Sequence, residues 1–143
     1  MPDHMRAALD AYVRFYETLT PETISALPSL VTADVRFRDP FNDVQGVEAY
    51  ARVLTKMFAD LDAPRFEVRH AVLDGAVGYL NWRLVFRGKR GQERSIVGMS
   101  ELRFDESGRV ALHVDHWDAA SQLYERVPVL GFILRLIRRR LAA

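Results

Sequence analysis

The spacing of apolar residues changes partway along the chain, and that change restricts the folds open to it. Residues 5–19 and 47–61 carry apolar side chains every three or four positions, which predicts amphipathic helices. Between them, Thr20-Pro21-Glu22 supplies an N-cap, a first-turn proline and a first-turn acid, and predicts a short helix over about 21–31. The first part of the chain is therefore mainly helical.

The later part of the chain alternates between apolar and polar residues, which is the period of strands. Short turns that contain Gly, Asp or Ser separate its segments. An earlier segment, 33–39, alternates in the same way and is ended by Pro40. The later strands are predicted at about 65–74, 76–88, 93–105 and 109–118. Helices followed by a run of strands predict an α+β fold rather than a parallel sheet with helical crossovers.

The composition limits the class of protein. At 143 residues, with 49% apolar and 27% charged residues, the chain is long enough for one domain with a substantial core. It contains no cysteine, which excludes disulfides and thiolate metal sites and fits a cytoplasmic location. The first residues lack a secretory signal pattern, and a net charge of +1 predicts no nucleic-acid partner.

Both faces of the predicted sheet carry large apolar side chains. In segment 109–118, two valines and a leucine share one parity, whereas His113, Asp115 and Trp117 share the other. A sheet of this kind is covered on both sides. The helices would cover one face. We expect a second copy of the protein to cover the other, which predicts a homodimer through the sheet.

Basic residues are concentrated near the end of the sequence. Five arginines fall between residues 126 and 140, and without them the net charge of +1 would become −4. Residues 126–143 are predicted to form a basic amphipathic helix after a single domain over 1–125. Its apolar face comprises Leu130, Ile133, Leu134, Ile137 and Leu141. This helix either packs on the domain or a partner, or makes a weak contact with an anionic membrane surface.

Two aspartates stand near strand ends, where core residues are expected. Asp39 precedes Pro40, and Asp115 shares its strand face with His113. A carboxyl group in a partly dry pocket is suited to general acid/base catalysis. The alternatives are structural. Asp39 can end its strand in a turn, and Asp115 can form an ion pair with Arg83 or another arginine.

The sequence predicts neither a metal site nor a cofactor. His113 and His116 point to opposite faces of one strand, so they cannot bind one ion together. The sequence has no P-loop, Gly-rich dinucleotide fingerprint, HExxH helix or nucleophile elbow. We therefore expect His113 to face a pocket and His116 to face an interface.

The order of the elements, with "RDP" after the first strand and "DHWD" at the end of the last, resembles the nuclear-transport-factor-2-like (SnoaL-like) superfamily. Its members include ketosteroid isomerases, polyketide cyclases and limonene-epoxide hydrolases. The resemblance covers about residues 5–125. It implies a cone-shaped α+β fold, in which a curved mixed or antiparallel sheet wraps around three N-terminal helices, with an extra C-terminal amphipathic helix. The same scaffold serves enzymes, binding modules and transport factors.

The ketosteroid isomerases within this superfamily imply roles for several residues. Their general base is an aspartate followed by proline, which Asp39 matches. A first-helix tyrosine helps to hold the dienolate oxygen, which matches Tyr12, with Tyr16 one turn along. Ser100 stands near the protonated aspartic acid of their oxyanion hole, and a serine can donate a hydrogen bond there.

Two other groups within the superfamily direct attention to the last strand. Limonene-epoxide hydrolases use an arginine, an aspartate two residues later and a second aspartate on the last strand. In this sequence Arg83 and Asp115 would match the arginine and the last-strand aspartate, whereas Val85 stands at the position of the other carboxylate. SnoaL-like cyclases use a last-strand aspartate as the acid/base, which Asp115 matches.

These observations predict a pocket protein that performs cofactor-independent acid/base chemistry, as an isomerase, cyclase or lyase, on a small apolar cyclic molecule. The predicted catalytic residues are Asp39, Asp115, Tyr12 and Tyr16. The predicted substrate-binding residues are Phe37, Phe58, Trp82, Met99, Ser100, His113 and Trp117. The alternative is a non-catalytic ligand-binding or assembly module, because the catalytic residues of each enzyme group are matched only in part and the last predicted helix is rich in arginine.

Overall fold

Six strands form one mixed sheet in the computed structural model, which describes residues 2–122 and 128–142. The strands are β1 (Val31–Arg38), β2 (Asp43–Gln45), β3 (Asp62–Asp74), β4 (Val77–Arg87), β5 (Glu93–Phe104) and β6 (Val110–His116). Their order across the sheet is β2-β1-β6-β5-β4-β3, and every neighbouring pair is antiparallel except β1 and β6. The predicted α+β fold with a mixed sheet is confirmed.

The N-terminal helical segments cover the inner face of the sheet. They are α1 (Pro2–Glu17), a 3-10 helix (Thr23–Ser29) and α2 (Val47–Asp60). Leu9 of α1 packs so closely on β4 that a Cβ at Gly78 would lie 3.2 Å from its Cδ1. Buried apolar side chains from both layers form the core, and burying each one stabilises the fold by about 1.5–3 kcal/mol.

The second helical segment differs from the α-helix predicted over 21–31. It is a 3-10 helix, in which the N–H of Leu30, just after its end, donates to the carbonyl of Leu27 at 2.9 Å. Pro28 lies inside it and has no N–H, so an α-helix would lack a hydrogen bond there. At its start, the hydroxyls of Thr20 and Thr23 each accept a hydrogen bond from the other residue's backbone N–H, at 3.2 and 2.8 Å.

The parallel pairing of β1 with β6 brings two strand ends to one edge of the sheet. Their carboxyl ends, at Arg38 and His116, are neighbours because Arg38 is paired with Val114. After β1 the chain turns back into β2, a three-residue strand that is too short to be predicted from alternation. Where two neighbouring strands end, the loops that follow them separate and leave a crevice between them. Open sheets bind ligands in such crevices.

The outer face of the sheet is exposed on the single chain. Four apolar side chains on this face, Val72, Tyr79, Val97 and Met99, are 41–57% exposed. The prediction that Met99 lines a pocket is therefore wrong: its neighbour Ser100 points to the inner face, so Met99 must point outward. The homodimer that would cover this face stays a prediction.

The last described elements are α3 (Ala119–Gln122) and α4 (Pro128–Leu141). Asp118 begins α3, where its Oδ1 accepts the backbone N–H of Ser121 at 3.0 Å. The Gln122 side chain bonds the backbone N–H and carbonyl of Val97, at 2.8 and 3.1 Å, where β6 no longer covers β5. Within the described ranges, no helix is long and apolar enough to span a bilayer.

Candidate functional site

Three tyrosine hydroxyls meet inside the protein, between the helices and the sheet. Tyr12 and Tyr16 are one turn apart on α1 and so share a face. Their hydroxyls both bond that of Tyr50 on α2, with Tyr12 Oη 2.6 Å from Tyr50 Oη. Phe37 stacks on Tyr50 with ring centroids 4.6 Å apart, which fixes the orientation of that ring. The phenol rings thus form part of the core, with their polar ends turned toward one another.

The hydroxyl cluster is bonded to a histidine and, through it, to a carboxylate. His113 on β6 is 1% exposed, and its Nδ1 lies 2.7 Å from Tyr12 Oη. Its Nε2 lies 2.6 Å from Asp115 Oδ1. Residues two apart on a strand point to the same face, which explains why the side chains meet. Asp115 does not form the ion pair with Arg83 that was its structural alternative, because Arg83 pairs with Glu67 at 3.1 Å.

The same carboxylate oxygen is held from a second direction. Ser100 Oγ donates to Asp115 Oδ1 at 2.5 Å, and Trp82 Nε1 donates to Ser100 Oγ at 2.8 Å. Ser100 and Asp115 are direct partners in the β5–β6 register. The Trp82 ring fits because its partner on β5 is Gly98, where a Cβ would lie 2.6 Å from the ring. The absence of a side chain at Gly98 therefore leaves room for the Trp82 ring, whose Nε1–H donates to Ser100.

One assignment of protons gives every donor in this network an acceptor through the shortest contacts, since Tyr12 Oη lies 2.7 Å from Nδ1 of His113 and Tyr50 Oη lies 3.3 Å from it. Each hydroxyl has a single hydrogen, so Tyr16 donates to Tyr50, Tyr50 to Tyr12, and Tyr12 to Nδ1 of His113. The neutral imidazole then carries its proton on Nε2 and donates it to Asp115. We assign this tautomer from the hydrogen-bond network. Each donor in the series from Tyr16 to His113 thus donates to the next member, and the last one donates to the Asp115 carboxylate.

Burial keeps the three phenols protonated. It raises the pKa of Tyr12, Tyr16 and Tyr50 well above the usual value near 10, and the charge of Asp115 adds to the rise for Tyr12 and Tyr16. Neutral phenols are hydrogen-bond donors, as the proton assignment requires. The cluster therefore acts as a fixed donor array at physiological pH.

Asp115 connects this buried network to an open groove. Its side chain is 16% exposed, and both hydrogen bonds fall on Oδ1. Among the residues that the structure describes, none donates a hydrogen bond to Oδ2. The groove, of about 600 Å³, lies at the carboxyl ends of β1 and β6, and Arg38, Asp115, His116 and Trp117 are among its lining residues. A carboxylate with one fixed and one free oxygen can accept a proton from a molecule in this groove.

Asp39 lines the same groove but has a different role. Its Oδ1 accepts the backbone N–H groups of Phe41 and Asn42 at 2.8 and 2.7 Å, and both carboxylate oxygens accept from Asn42 Nδ2. These bonds form the turn between β1 and β2. The structure thus brings the two predicted aspartates to one groove, with Asp39 in the structural role that was its alternative.

The interior beneath the groove is nearly filled. A pocket lined by Tyr16, Phe66, Trp82 and Ser100, among others, leaves a cavity of about 10 Å³, which is room for about one water molecule. In the part of the chain that the structure describes, the space between helices and sheet is therefore too small for the small cyclic molecule that the sequence predicts as a ligand. The open groove is the larger candidate binding space.

The remaining predicted substrate-binding residues separate into two groups. Trp117 is half-buried beside the groove, where its ring lies edge-on to that of Phe41 at 5.5 Å. Phe37 and Phe58 are core residues: Phe37 is buried, and Phe58 packs on the core from α2. Phe66 packs edge-on against Trp82 at 5.7 Å and lines the inner pocket instead.

Tyr50 and Phe66 are the site residues that sequence reasoning misses. A signal for Tyr50 exists, because a tyrosine in the apolar stripe of a helix needs a buried partner for its hydroxyl. Three of the five tyrosines occupy such core-facing positions, and His113 is a polar residue on the inner face of the sheet. Grouping them would have suggested one shared hydrogen-bond cluster.

Comparisons with known proteins were made for the sequence and for the fold. The family model described as the SnoaL-like domain matches residues 12–113, which includes the tyrosines, His113 and Ser100. No curated protein matches the chain in sequence.

Several solved structures are similar to this fold. An LEH-like epoxide hydrolase from M. tuberculosis has a TM-score of 0.67 and 16% identity, over 92% of this chain and 91% of that one. A hypothetical protein with a ketosteroid isomerase-like fold from Catenulispora acidiphila, in complex with trimethylamine, has a TM-score of 0.67 and 14% identity, over 81% and 88%. TerC, co-crystallized with polyporic acid, has a TM-score of 0.68 and 14% identity, over 82% and 93%. At these identities the likeness shows the fold alone.

Proposed function

Because the chain belongs to the SnoaL-like domain family, as its motifs implied, we propose that it is a cofactor-independent acid/base enzyme of the isomerase or cyclase type. The substrate is a small, mainly apolar cyclic carbonyl compound bound in the groove beside Asp115. The observation that carries this proposal is the half-buried Asp115 carboxylate, with Oδ1 held by His113 and Ser100 and Oδ2 without a partner among the described residues.

The proposed reaction begins with proton abstraction next to a carbonyl group. Asp115 Oδ2 takes the proton, the carbon–hydrogen bond breaks, and its electron pair moves onto the carbonyl oxygen as an enolate. The neutral carboxylic acid then returns the proton to a different carbon, which completes an isomerisation. In a cyclisation the enolate carbon instead attacks a second carbonyl of the same molecule, and Asp115 protonates the new alkoxide.

The network assists this cycle by orienting the base. The Nε2–H of His113 and the hydroxyl of Ser100 stay on Oδ1, so Oδ2 is directed to the substrate in every turnover. Arg38 lines the groove and carries the positive charge that suits a developing enolate. Tyr12 and Tyr16 act through His113 here, as positioning residues.

The size of the binding space supports a substrate of this class. The groove volume of about 600 Å³ falls in the range of small-molecule sites, whereas the inner cavity of about 10 Å³ holds no organic ligand. Trp117 offers an aromatic wall on which a ring can stack. The likeness to TerC, co-crystallized with polyporic acid, supports a cyclic ligand on this scaffold.

The test compares two isosteric variants. Each protein is incubated in D₂O with a panel of cyclic ketones and diketones, and deuterium uptake is followed by NMR. We expect Asp115→Asn to slow exchange by about 100-fold or more, since an amide cannot accept the proton. Asp39→Asn is the matched control and should retain exchange, because asparagine forms the same turn. Loss in Asp39→Asn with retention in Asp115→Asn would reverse the assignment.

A second candidate function is a non-catalytic binding or assembly module. The nearly filled interior favours it, since packing of the core alone accounts for the side chains found there and no substrate is required to explain them. It predicts that no panel member exchanges faster with the protein than in buffer. It also predicts that Asp115→Asn leaves the affinity for any bound panel member unchanged, as measured by calorimetry.

A further inference from the structure

Helix α4 turns most of its apolar side chains toward solvent. Gly131 is buried and Leu134 is half-buried, so this side of the helix faces the protein. Six apolar side chains elsewhere on the helix are 40–81% exposed: Leu130, Phe132, Ile133, Leu136, Ile137 and Leu141. A 14-residue amphipathic helix that packs only on its own domain is expected to bury such side chains against that domain.

The exposed apolar side chains form one continuous surface. At 3.6 residues per turn, the arc from Phe132 through Leu136, Ile133, Ile137 and Leu130 to Leu141 covers about 180° of the helix. Arg135, Arg138 and Arg139 lie on the opposite side. Arg140 falls within the apolar arc, where its long side chain can extend past the apolar groups to reach a polar layer.

The charge of α4 selects what covers this surface. Residues 128–143 contain four arginines and no acidic residue. A second copy of α4 packed on this surface would bury Arg140 of both copies in the contact, with no acidic residue on either helix to pair with it. An anionic bilayer offers the opposite charge together with an apolar layer for the leucine and isoleucine side chains. We propose that α4 docks the protein on the surface of an anionic lipid bilayer, lying in the plane of the interface.

The contact near α3 leaves this surface available. Leu134 and Arg138 lie beside Asp118 and Ser121, and the Ser121 hydrogen bonds, with a smaller effect of Arg138, lower the pKa of Asp118. Ile137 and Leu141 also border this contact but remain 50% and 81% exposed, so the apolar surface from Leu136 through Ile133 to Ile137 stays open to solvent. Docking on lipid therefore requires no unfolding of the described fold.

The test is vesicle co-sedimentation of the full chain. Vesicles are made of phosphatidylcholine alone or mixed with phosphatidylserine. We expect pelleting on the anionic vesicles that weakens as salt rises, and little pelleting on the neutral ones. The double variants Ile133→Glu/Ile137→Glu and Arg139→Glu/Arg140→Glu should each lower the vesicle affinity by at least about tenfold. Lys89→Glu/Arg90→Glu is the control, because it reverses two exposed charges in the β4–β5 turn.

Several outcomes would overturn the proposal. One is no pelleting of the wild-type protein on anionic vesicles, and another is an equal loss of affinity in the Lys89/Arg90 control. A third is a wild-type oligomer, measured by light scattering without lipid, that dissociates to monomer in Ile133→Glu/Ile137→Glu while the vesicle affinity of this variant is unchanged. That result would identify a second copy as the partner of α4. Circular dichroism melting curves check that each variant is folded.

Discussion

His113 Nε2 lies 2.6 Å from Oδ1 of Asp115, two residues further along β6, and this pair joins the buried tyrosines to the open groove. On one side of it are three neutral phenols, which fix the imidazole tautomer through Nδ1. On the other side is a carboxylate whose second oxygen has no partner in the described part of the chain. The hydrogen bonds therefore fix the orientation of the Asp115 carboxylate, and in the reaction proposed above its second oxygen is the base.

Replacing His113 with phenylalanine should destabilise the protein. Tyr12 would lose its acceptor and Asp115 a donor, so we expect the free energy of unfolding to fall by about 2–4 kcal/mol. Urea unfolding followed by circular dichroism measures the change. His116→Phe is the control, since His116 is exposed at the end of the same strand, and its effect should stay within about 0.5 kcal/mol. Equal losses in both variants would contradict the network.

The tyrosine cluster predicts a loss of stability at alkaline pH. Burial raises the pKa of Tyr12, Tyr16 and Tyr50, so above about pH 10 the unfolded chain releases phenolic protons that the native state retains. The native state then binds more protons, and its stability falls as the pH rises, by up to about 1.4 kcal/mol per pH unit for each tyrosine. Below about pH 10 the stabilisation is fully present.

Urea unfolding across this pH range measures the slope. Tyr16→Phe should make the slope shallower because it removes one of the three phenols. Phe15→Leu, a change in a neighbouring buried residue without a phenol, should lower stability by a similar amount at every pH and leave the slope as it was. A slope that Tyr16→Phe does not alter would show that burial does not raise the pKa of Tyr16 in the native state.

Local periodicity was sufficient to predict part of the site. The helical repeat places Tyr12 and Tyr16 on one core-facing side of α1, and the strand repeat places His113 and Asp115 on one face of β6. Both patterns depend only on neighbouring residues, so the sequence contains them. The SnoaL-like family could also be recognised, since its motifs stand at strand ends.

Long-range contacts could not be predicted in the same way. Tyr50 meets Tyr12 only because α1 and α2 approach each other across 38 residues of sequence. The filling of the interior depends on how several aromatic rings pack, which no single segment determines. The face of β5 was also ambiguous, because Ile96 and Leu102 are apolar on one parity and Val97 and Met99 on the other. Only the position of the helices decides which face is inside.

Gly98 should be intolerant of even a methyl group. A Cβ there would lie 2.6 Å from two atoms of the Trp82 ring and 3.0 Å from the carbonyl oxygen of His116. We expect Gly98→Ala to lower the free energy of unfolding by about 1–3 kcal/mol, because the ring must shift away from Ser100. Trp82→Phe removes the part of the ring that clashes. In a double-mutant cycle, the combined variant should therefore lose less stability than the sum of the single variants. Simple additivity would show that the ring is not displaced.

The exposed outer face of the sheet predicts a homodimer. Val72 on β3 lies directly opposite Tyr79 on β4, and Val97 and Met99 continue the apolar surface on β5. Burying these side chains against a second copy stabilises the dimer by about 25 cal/mol per Å² of apolar area. A glutamate introduced among them would be buried in the interface without an opposite charge. We expect sedimentation velocity in the absence of lipid to show a dimer for the wild-type protein and a shift toward monomer for Val72→Glu/Tyr79→Glu. Leu141→Glu, which adds a charge at an exposed position of α4, should leave the dimer intact. A wild-type protein that sediments as a monomer at high concentration would rule out this interface.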